Sequence, residues 1–342
     1  ADFLLLGAIG FVAIWTSHPS VFILAGIGMM LVMDYLIKKA YAPLARILGL
    51  GFLWIFALGA DYFVSLRYLT ANGFLQSYWR HAFMPLQLPK LANWLNETYL
   101  SLLKTTLGFD PRFLIITCSI LALIGIVRLV FRNRNIAMII LLPFGLALIA
   151  SALQKYPLTD RFMLFLVPLF ILLMTEGLGQ IYLSARKLNR PIAVMLVGCI
   201  TLLTLWMPMN SGFQKFITPP MDNDIKPVLR YVAQNRNPND IVYVYHTARP
   251  AFAYYAASYG LDTGKVITGT DFNGMLTLQE FYSAAEQLKG NSKVWFIFSF
   301  VDCVGCEGHG EEYFIQYLDQ IGRQENSFHA QGADAYLYDL NP

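Results

Sequence analysis

The chain has 342 residues, of which 56% are hydrophobic, 15% aromatic and only 14% charged, against about 25% charged in an ordinary soluble domain. That balance excludes a disordered chain, a collagen-like chain and a plain cytosolic enzyme, and leaves a membrane protein with a soluble part attached. The formal charge of +3 sums two opposites: residues 1–210 carry 16 Lys and Arg against 7 Asp and Glu, net +9, while residues 211–342 carry 9 against 15, net −6. The basic, apolar half is expected to hold topology signals and to touch membrane lipids, and no nucleic-acid partner is expected.

A helix that crosses a bilayer needs about 20 mostly apolar residues. In chain order, Val21–Ile37, Ala45–Leu66, Phe113–Phe131, Ile136–Leu153, Phe162–Leu183 and Pro191–Pro208 are long enough, giving six expected spans. Phe3–Trp15 precedes them and is too short to span alone. It also lacks the basic region and cleavage site of a signal peptide. It reads as the tail of a helix that begins upstream, so the chain is expected to be an N-terminally truncated portion of a longer protein. A re-entrant or core segment is the alternative.

Three short loops hold three basic residues each: Lys38, Lys39 and Arg46; Arg128, Arg132 and Arg134; Arg186, Lys187 and Arg190. They alternate with the other loops, and the excess of basic residues on the cytoplasmic side of membrane proteins makes them cytoplasmic. The outer side then receives Ser17-His18-Pro19, the stretch 67–111, Gln154–Asp160 and the whole C-terminal region. Within 67–111, Trp79, Arg80, His81, Trp94 and Tyr99 are interleaved with apolar residues. This mixture suits the membrane–water interface and predicts one or two short amphipathic helices there.

The bundle is expected to occupy residues 1–210 and a small α/β three-layer extracytoplasmic domain residues 211–342. In that tail, Asp222 or Asn223 is placed to cap a helix reaching Asn235, with Pro227 in its first turn. Ile241–Tyr245, Lys265–Thr268 and Lys293–Phe300 read as strands. Arg249–Tyr259, Thr277–Leu288 and Glu311–Ile321 read as helices between and after them. Ser327–Ala330 and Ala335–Tyr338 read as a closing hairpin across Gly332. Strands alternating with helices predict a mostly parallel sheet. No G-x-G-x-x-G follows the first strand, which argues against a dinucleotide site.

Several residues carry candidate chemistry. Cys303 and Cys306 form a C-x-x-C, readable as a redox pair, a local disulfide or, with His309, part of a metal site. Three ligands fall short of a structural zinc set, and an oxidising outer side favours the disulfide. No metal site is therefore assigned, although a divalent ion remains open as a cofactor. His18 sits in a tight outer loop, suited to anion binding, proton relay or simple capping. Lys155-Tyr156-Pro157-Leu158-Thr159-Asp160-Arg161 puts two cations at the start of an apolar helix, where Lys155 and Arg161 could meet a phosphate. A turn with snorkelling side chains is the plainer reading. Asp34, Asp61 and Glu176 lie in or near apolar segments, where acids are costly and candidates for function, though interfacial solvation accounts for each. No P-loop, H-E-x-x-H, G-x-S-x-G or kinase set occurs.

The stretch Lys155–Gly177, with its Lys-Tyr-Pro-x-x-Asp-Arg loop and Pro168, and the tail opening Asp224-Ile225-Lys226-Pro227-Val228-Leu229-x-Tyr231 resemble membrane glycosyltransferases of the GT-C superfamily. The similarity is to the bacterial protein-mannosyltransferase and aminoarabinose-transferase-like branch. The resemblance implies an inner-membrane transferase that takes a sugar from a polyprenyl-phosphate-linked donor to an acceptor glycan, lipid or protein on the outer face. It further implies that basic outer-loop residues hold the donor phosphate, a role matched by Lys155 and Arg161 with Tyr156 and His18 as neighbours. The family's acidic base lies in a first outer loop, expected upstream of residue 1. Two other readings stay open. One is a non-catalytic membrane protein whose outer domain binds a glycan or protein partner; the other is a transporter of a lipid-linked substrate, for which no repeat is evident.

Overall fold

The computed structural model describes residues 2–68, 79–219, 224–261, 266–269, 278–299, 301 and 310–341. The chain divides into two compact units, Ala1–Ile217 and Thr218–Pro342. The division falls beyond residue 210 because the last long helix continues, through Pro208, to Ile217.

The first unit is helical. Its helices are α1 (Asp2–Thr16), α2 (Ser20–Ile37), α3 (Tyr41–Asp61, extended by a wider π-turn at Tyr62–Leu66) and α4 (Leu88–Ser101). They continue with α5 (Arg112–Arg132), α6 (Arg134–Ala152), α7 (Val167–Ala185, preceded by a tight 3-10 stretch at Asp160–Leu166) and α8 (Arg190–Ile217). Six stretches are long and apolar enough to cross a membrane: Ser20–Ile37, Tyr41–Leu66, Arg112–Arg132, Arg134–Ala152, Asp160–Ala185 and Arg190–Ile217. The first helix remains short, as the sequence suggested. The amphipathic helix expected in 67–111 is α4, whose Trp94 is buried, while residues 69–78 lie outside the described residues.

The tightest packing is between α5 and α7. Gly125 and Gly177 face each other so closely that a Cβ at Gly125 would run into the carbonyl of Leu173, and one at Gly177 into the carbonyl of Leu121. Small residues that let two backbones approach are a general device of helix association in apolar surroundings. Around this crossing, Leu114, Cys118, Leu121, Met163 and Leu173 are buried. At one end Arg128 Nε lies 3.1 Å from Glu176 Oε2, with Arg132 Nη1 at 3.8 Å from the same oxygen. Helix α2 packs antiparallel on α6. At one end of this pair Asp34 takes a 3.0 Å hydrogen bond from Asn135 and a 2.7 Å one from Lys38, and at the other Phe22 meets Tyr156 edge-on. The end carrying His18 and Tyr156 is termed the upper end.

The second unit holds α9 (Lys226–Asn235), α10 (Arg249–Tyr255), α11 (Leu278–Glu286) and α12 (Gly310–Ile321). Its strands are β1 (Ile241–Val244), β2 (Val266–Thr268), β3 (Val294–Ser299), β4 (Arg323–Ala330) and β5 (Ala333–Asp339), ordered β2-β1-β3-β5-β4. Alternate strand residues point to opposite faces. Val242, Val244, Trp295 and Ile297 therefore meet Val228, Leu229 and Phe252 of α9 and α10, while Tyr243, Phe296 and Phe298 meet Ala285, Phe314 and Leu318 of α11 and α12.

The sheet corrects the expectation of a mostly parallel arrangement. Both of β1's pairings are parallel, but β3–β5 and β5–β4 are antiparallel. A short turn at Gly332, with φ at +79°, returns the chain directly, and a direct return can only produce antiparallel neighbours. Strand β4 starts at Arg323, ahead of the expected Ser327. It lies at the sheet edge, with Arg323, Gln324 and Glu325 exposed in a row, and is interrupted by an irregularity between Gln324 and Asn326. The capping expected of Asp222 or Asn223 lies outside the described residues; the residue before α9 is Ile225, without a side-chain cap, and Asp224 Oδ1 accepts the Lys226 N–H at 3.1 Å.

Candidate functional site

Among the sequence-selected residues, those of the Lys155–Arg161 loop are brought together at the upper end. Tyr156 is half-buried, its ring packed edge-on to Phe22, Phe162 and Phe165 at 4.9, 5.9 and 6.1 Å. Its hydroxyl donates a 2.8 Å hydrogen bond to the Phe162 carbonyl, and burial pushes its ionisation well above the usual tyrosine range. Tyr156 is thus a neutral pin that fixes the loop, with its one proton already committed.

The loop is held in an unusual backbone shape. Asp160 adopts a left-handed φ of +36°, a conformation that costs a non-glycine residue about 1 kcal/mol or more. Its surroundings hold it there: Thr159 Oγ1 and Ser101 Oγ donate to its carboxylate at 3.2 and 3.4 Å, and Thr106 Oγ1 donates to its carbonyl at 3.4 Å. The next residue, Arg161, is exposed, with its guanidinium 5.4 Å above the Phe162 ring. Lys155 is exposed as well.

A second segment is fastened to the same surface, which sequence reading did not anticipate. Leu158 N donates to the Ala82 carbonyl at 2.9 Å, and Met84 N donates to the buried Ser151 Oγ at 3.0 Å. Trp79 meets Phe162 edge-on at 5.1 Å, and Trp94 Nε1 donates to the His81 carbonyl at 3.2 Å. Arg80 and His81 are thereby carried beside the Lys155–Arg161 loop. Among the described residues, none of Arg80, Lys155 and Arg161 is ion-paired with a carboxylate. A guanidinium over an aromatic ring, with two further exposed cations on adjoining segments, forms a surface suited to an anion attached to an apolar body.

His18 is placed differently. Its Nε2 lies 3.0 Å from Asp61 Oδ2, an ion-pair distance without the alignment of a hydrogen bond. Asp61 is almost fully buried and His18 is 44% exposed. The two residues are 43 positions apart, and no local signal joins them. One turn further along α2, Phe22 touches Tyr156, so the first turn of α2 links the His18–Asp61 pair to the cationic loop.

Cys303, Cys306 and His309 lie outside the described residues. Cys118 is buried and Cys199 exposed, both as free thiols within helices. Among the described residues, no group of three or more His, Cys, Asp or Glu is arranged to hold a metal ion. In the second unit, Glu311, Glu312, Ile315, Gln316, Asp334 and Tyr336 line a hollow of about 500 Å³. Burial, and then the neighbouring Asp334 charge, raise the Glu311 carboxyl to about 7. His329 Nδ1 holds the other side of Asp334 at 2.8 Å.

Compared with known proteins, the chain matches no family model, no curated protein and no solved structure.

Proposed function

We propose that the protein is an integral membrane glycosyltransferase, or the part of one given by this chain, that takes a sugar from a polyprenyl-phosphate-linked donor. The six long apolar helices cross the bacterial inner membrane, the basic loops face the cytoplasm, and the upper end and the α/β domain face outward. The observation that carries the reading is Arg161 over the Phe162 ring, in the Trp79–Phe162–Tyr156 aromatic cluster, with Lys155 and Arg80 exposed on adjoining segments and none of the three ion-paired with a carboxylate among the described residues. The motif resemblance of Lys155–Gly177 to the GT-C superfamily points the same way.

The chemistry is simple in outline. An acceptor atom bonds to the anomeric carbon, the bond from that carbon to the phosphate oxygen breaks, and the polyprenyl phosphate leaves with the electron pair. The protein must meet the charge that grows on that phosphate. Arg161 offers a planar pair of donors and Lys155 a point charge, both at the depth where a lipid phosphate sits. The fixed Asp160 turn and the Tyr156 pin keep the guanidinium from having to be organised at the moment of transfer.

The test is Arg161→Ala in the full-length protein, assayed with a lipid-linked sugar donor. Removing one charge-stabilising donor should lower transfer by about 100-fold or more, while thermal unfolding stays unchanged because the Arg161 side chain is exposed and makes no ion pair among the described residues. Retained transfer, with donor turnover measured directly, would overturn the assignment.

A further inference from the structure

The furrow between α5 and α7, at the end opposite Tyr156, has no part in the reading above. Its volume is about 770 Å³. On α5, Leu123, Val127 and Phe131 stand four residues apart and form one stripe of its wall. All three are exposed, and the stripe runs for about 12 Å along the helix. Leu183 of α7 bounds the other side.

The polar part of the lining is Arg128, Arg132 and Gln180, with no carboxylate among the described residues that line it. Glu176, which pairs with both arginines, lies outside the lining. Two guanidiniums thus share one carboxylate, and one positive charge is left over. Arg128 is committed to that pairing. Its Nε lies 3.1 Å from Glu176 Oε2, and its Nη1 donates to the Glu176 carbonyl at 3.5 Å. It lies against bare α7 backbone, since a Cβ at Gly179 would stand 3.1 Å from Nη1. Arg132, one turn further on, is not committed. It is 64% exposed, comes only to 3.8 Å from Glu176 Oε2, and makes no hydrogen bond among the described residues. Its fork of N–H donors is therefore available at the furrow. Just past the end of α5, Arg134 is also exposed and without an ion pair among the described residues.

We propose that this furrow binds an anionic phospholipid, with its phosphodiester against Arg132 and Arg128 and one acyl chain along Leu123, Val127 and Phe131. Arg132 is the last residue of a stretch long and apolar enough to cross a membrane, so its guanidinium sits at headgroup depth. The stripe that leads away from it is apolar and takes the chain. Charge selects the head. A phosphodiester matches the one surplus charge and accepts the planar donor pair of a guanidinium. A zwitterionic head would add an ammonium beside Arg132 and Arg134, with no carboxylate in the lining to receive it. The inference rests on the membrane crossing proposed above and not on sugar transfer. Resistance of the chain to alkaline extraction from membranes tests the crossing separately.

The test uses the full chain in detergent with photoactivatable phosphatidylglycerol and phosphatidylcholine, each carrying a diazirine in the same acyl chain. Phosphatidylglycerol should label peptides covering 120–132 and 178–185 about fivefold more than phosphatidylcholine, the effect of one net charge beside a cation. Arg132→Gln should abolish that preference, and Arg132→Lys should restore part of it. Thermal unfolding should be unchanged in both variants, because Arg132 is exposed and makes no hydrogen bond among the described residues. Arg46→Gln removes a cation of the same end on α3, outside the furrow, and should leave the preference as it is. An excess of inorganic phosphate should not displace the lipid. Equal labelling by the two lipids, a preference that survives Arg132→Gln or falls equally in Arg46→Gln, or displacement by phosphate alone would each overturn the proposal. So would an absence of labelling in these peptides, which a dimer seen by native mass spectrometry would assign to a second copy covering the furrow.

Discussion

Replacing Gly125 with alanine inserts a methyl group where α5 and α7 cross. A Cβ there would stand 2.8 Å from the Leu173 carbonyl carbon and nearer still to its oxygen. Restoring an ordinary carbon contact of about 3.7 Å requires the helices to part by about 1 Å. A gap of that size forfeits a quarter to a half of the dispersion energy of each facing pair. Spread over the seam around Leu121, Cys118 and Leu173, all nearly solvent-free, the loss comes to about 2 kcal/mol, within the usual range for overpacking. Gly177→Ala meets the Leu121 carbonyl in the same way and should cost a similar amount. The informative variant is the double substitution. Both methyls demand the same separation, so the pair should cost little more than either alone, leaving a coupling of about 1–2 kcal/mol. Reversible unfolding in detergent, followed by circular dichroism, measures all four corners of the cycle. Additive losses, or single losses below about 0.5 kcal/mol, would refute the close-packed crossing.

Other consequences are equally measurable. Glu311 binds its proton more tightly folded than unfolded. Its contribution is therefore fully favourable below pH 4.5 and is lost as pH rises toward about 7. Glu311→Gln should flatten that decline and raise the melting temperature of the protein above pH 7, read by the tail's unfolding transition; an unchanged pH profile would contradict it. His18→Ala leaves the Asp61 carboxylate buried without its neighbour and should destabilise by about 1–2 kcal/mol, given the half-exposed imidazole. Adding Asp61→Asn should recover most of that loss, whereas a further loss would count against the pairing. Ser151→Ala strips the acceptor from the Met84 N–H and should cost about 1–3 kcal/mol, with faster proteolysis or amide exchange across 79–87. Unchanged exchange there would show that the clamp is unimportant.

Much of the architecture is written locally in the chain. Long apolar runs give the six helices, and Gly260, at φ +66°, ends the Arg249–Tyr259 segment as read. What the sequence does not carry is pairing at a distance. Arg128 and Glu176 look like separate residues near helix ends, and only the glycine crossing brings them to 3.1 Å. Asp61 reads as interfacial, yet it is buried against His18 because α1 and α3 pack side by side around the α2 turn. The Lys155–Arg161 loop was visible as chemistry, since two cations beside an apolar helix are unusual. The role of Tyr156 as a pin depends on Phe22, Phe162 and Phe165 converging from two segments. In the tail the closing hairpin across Gly332 was legible, but that its second strand, β5, lies antiparallel against β3 is a tertiary matter that strand patterning leaves undetermined.

The outer edge of the tail's sheet has its own consequence. Strand β4 offers unpaired backbone groups along one side, which is the usual invitation to edge-to-edge growth between copies. Here Arg323, Glu325 and His329 stand exposed on it, and the ladder breaks between Gln324 and Asn326. A neighbouring strand would have to follow that irregularity and bury those charges. This border is thereby built against edge-to-edge growth even where many copies share one surface, and self-association through it is expected only when it is made smooth and apolar.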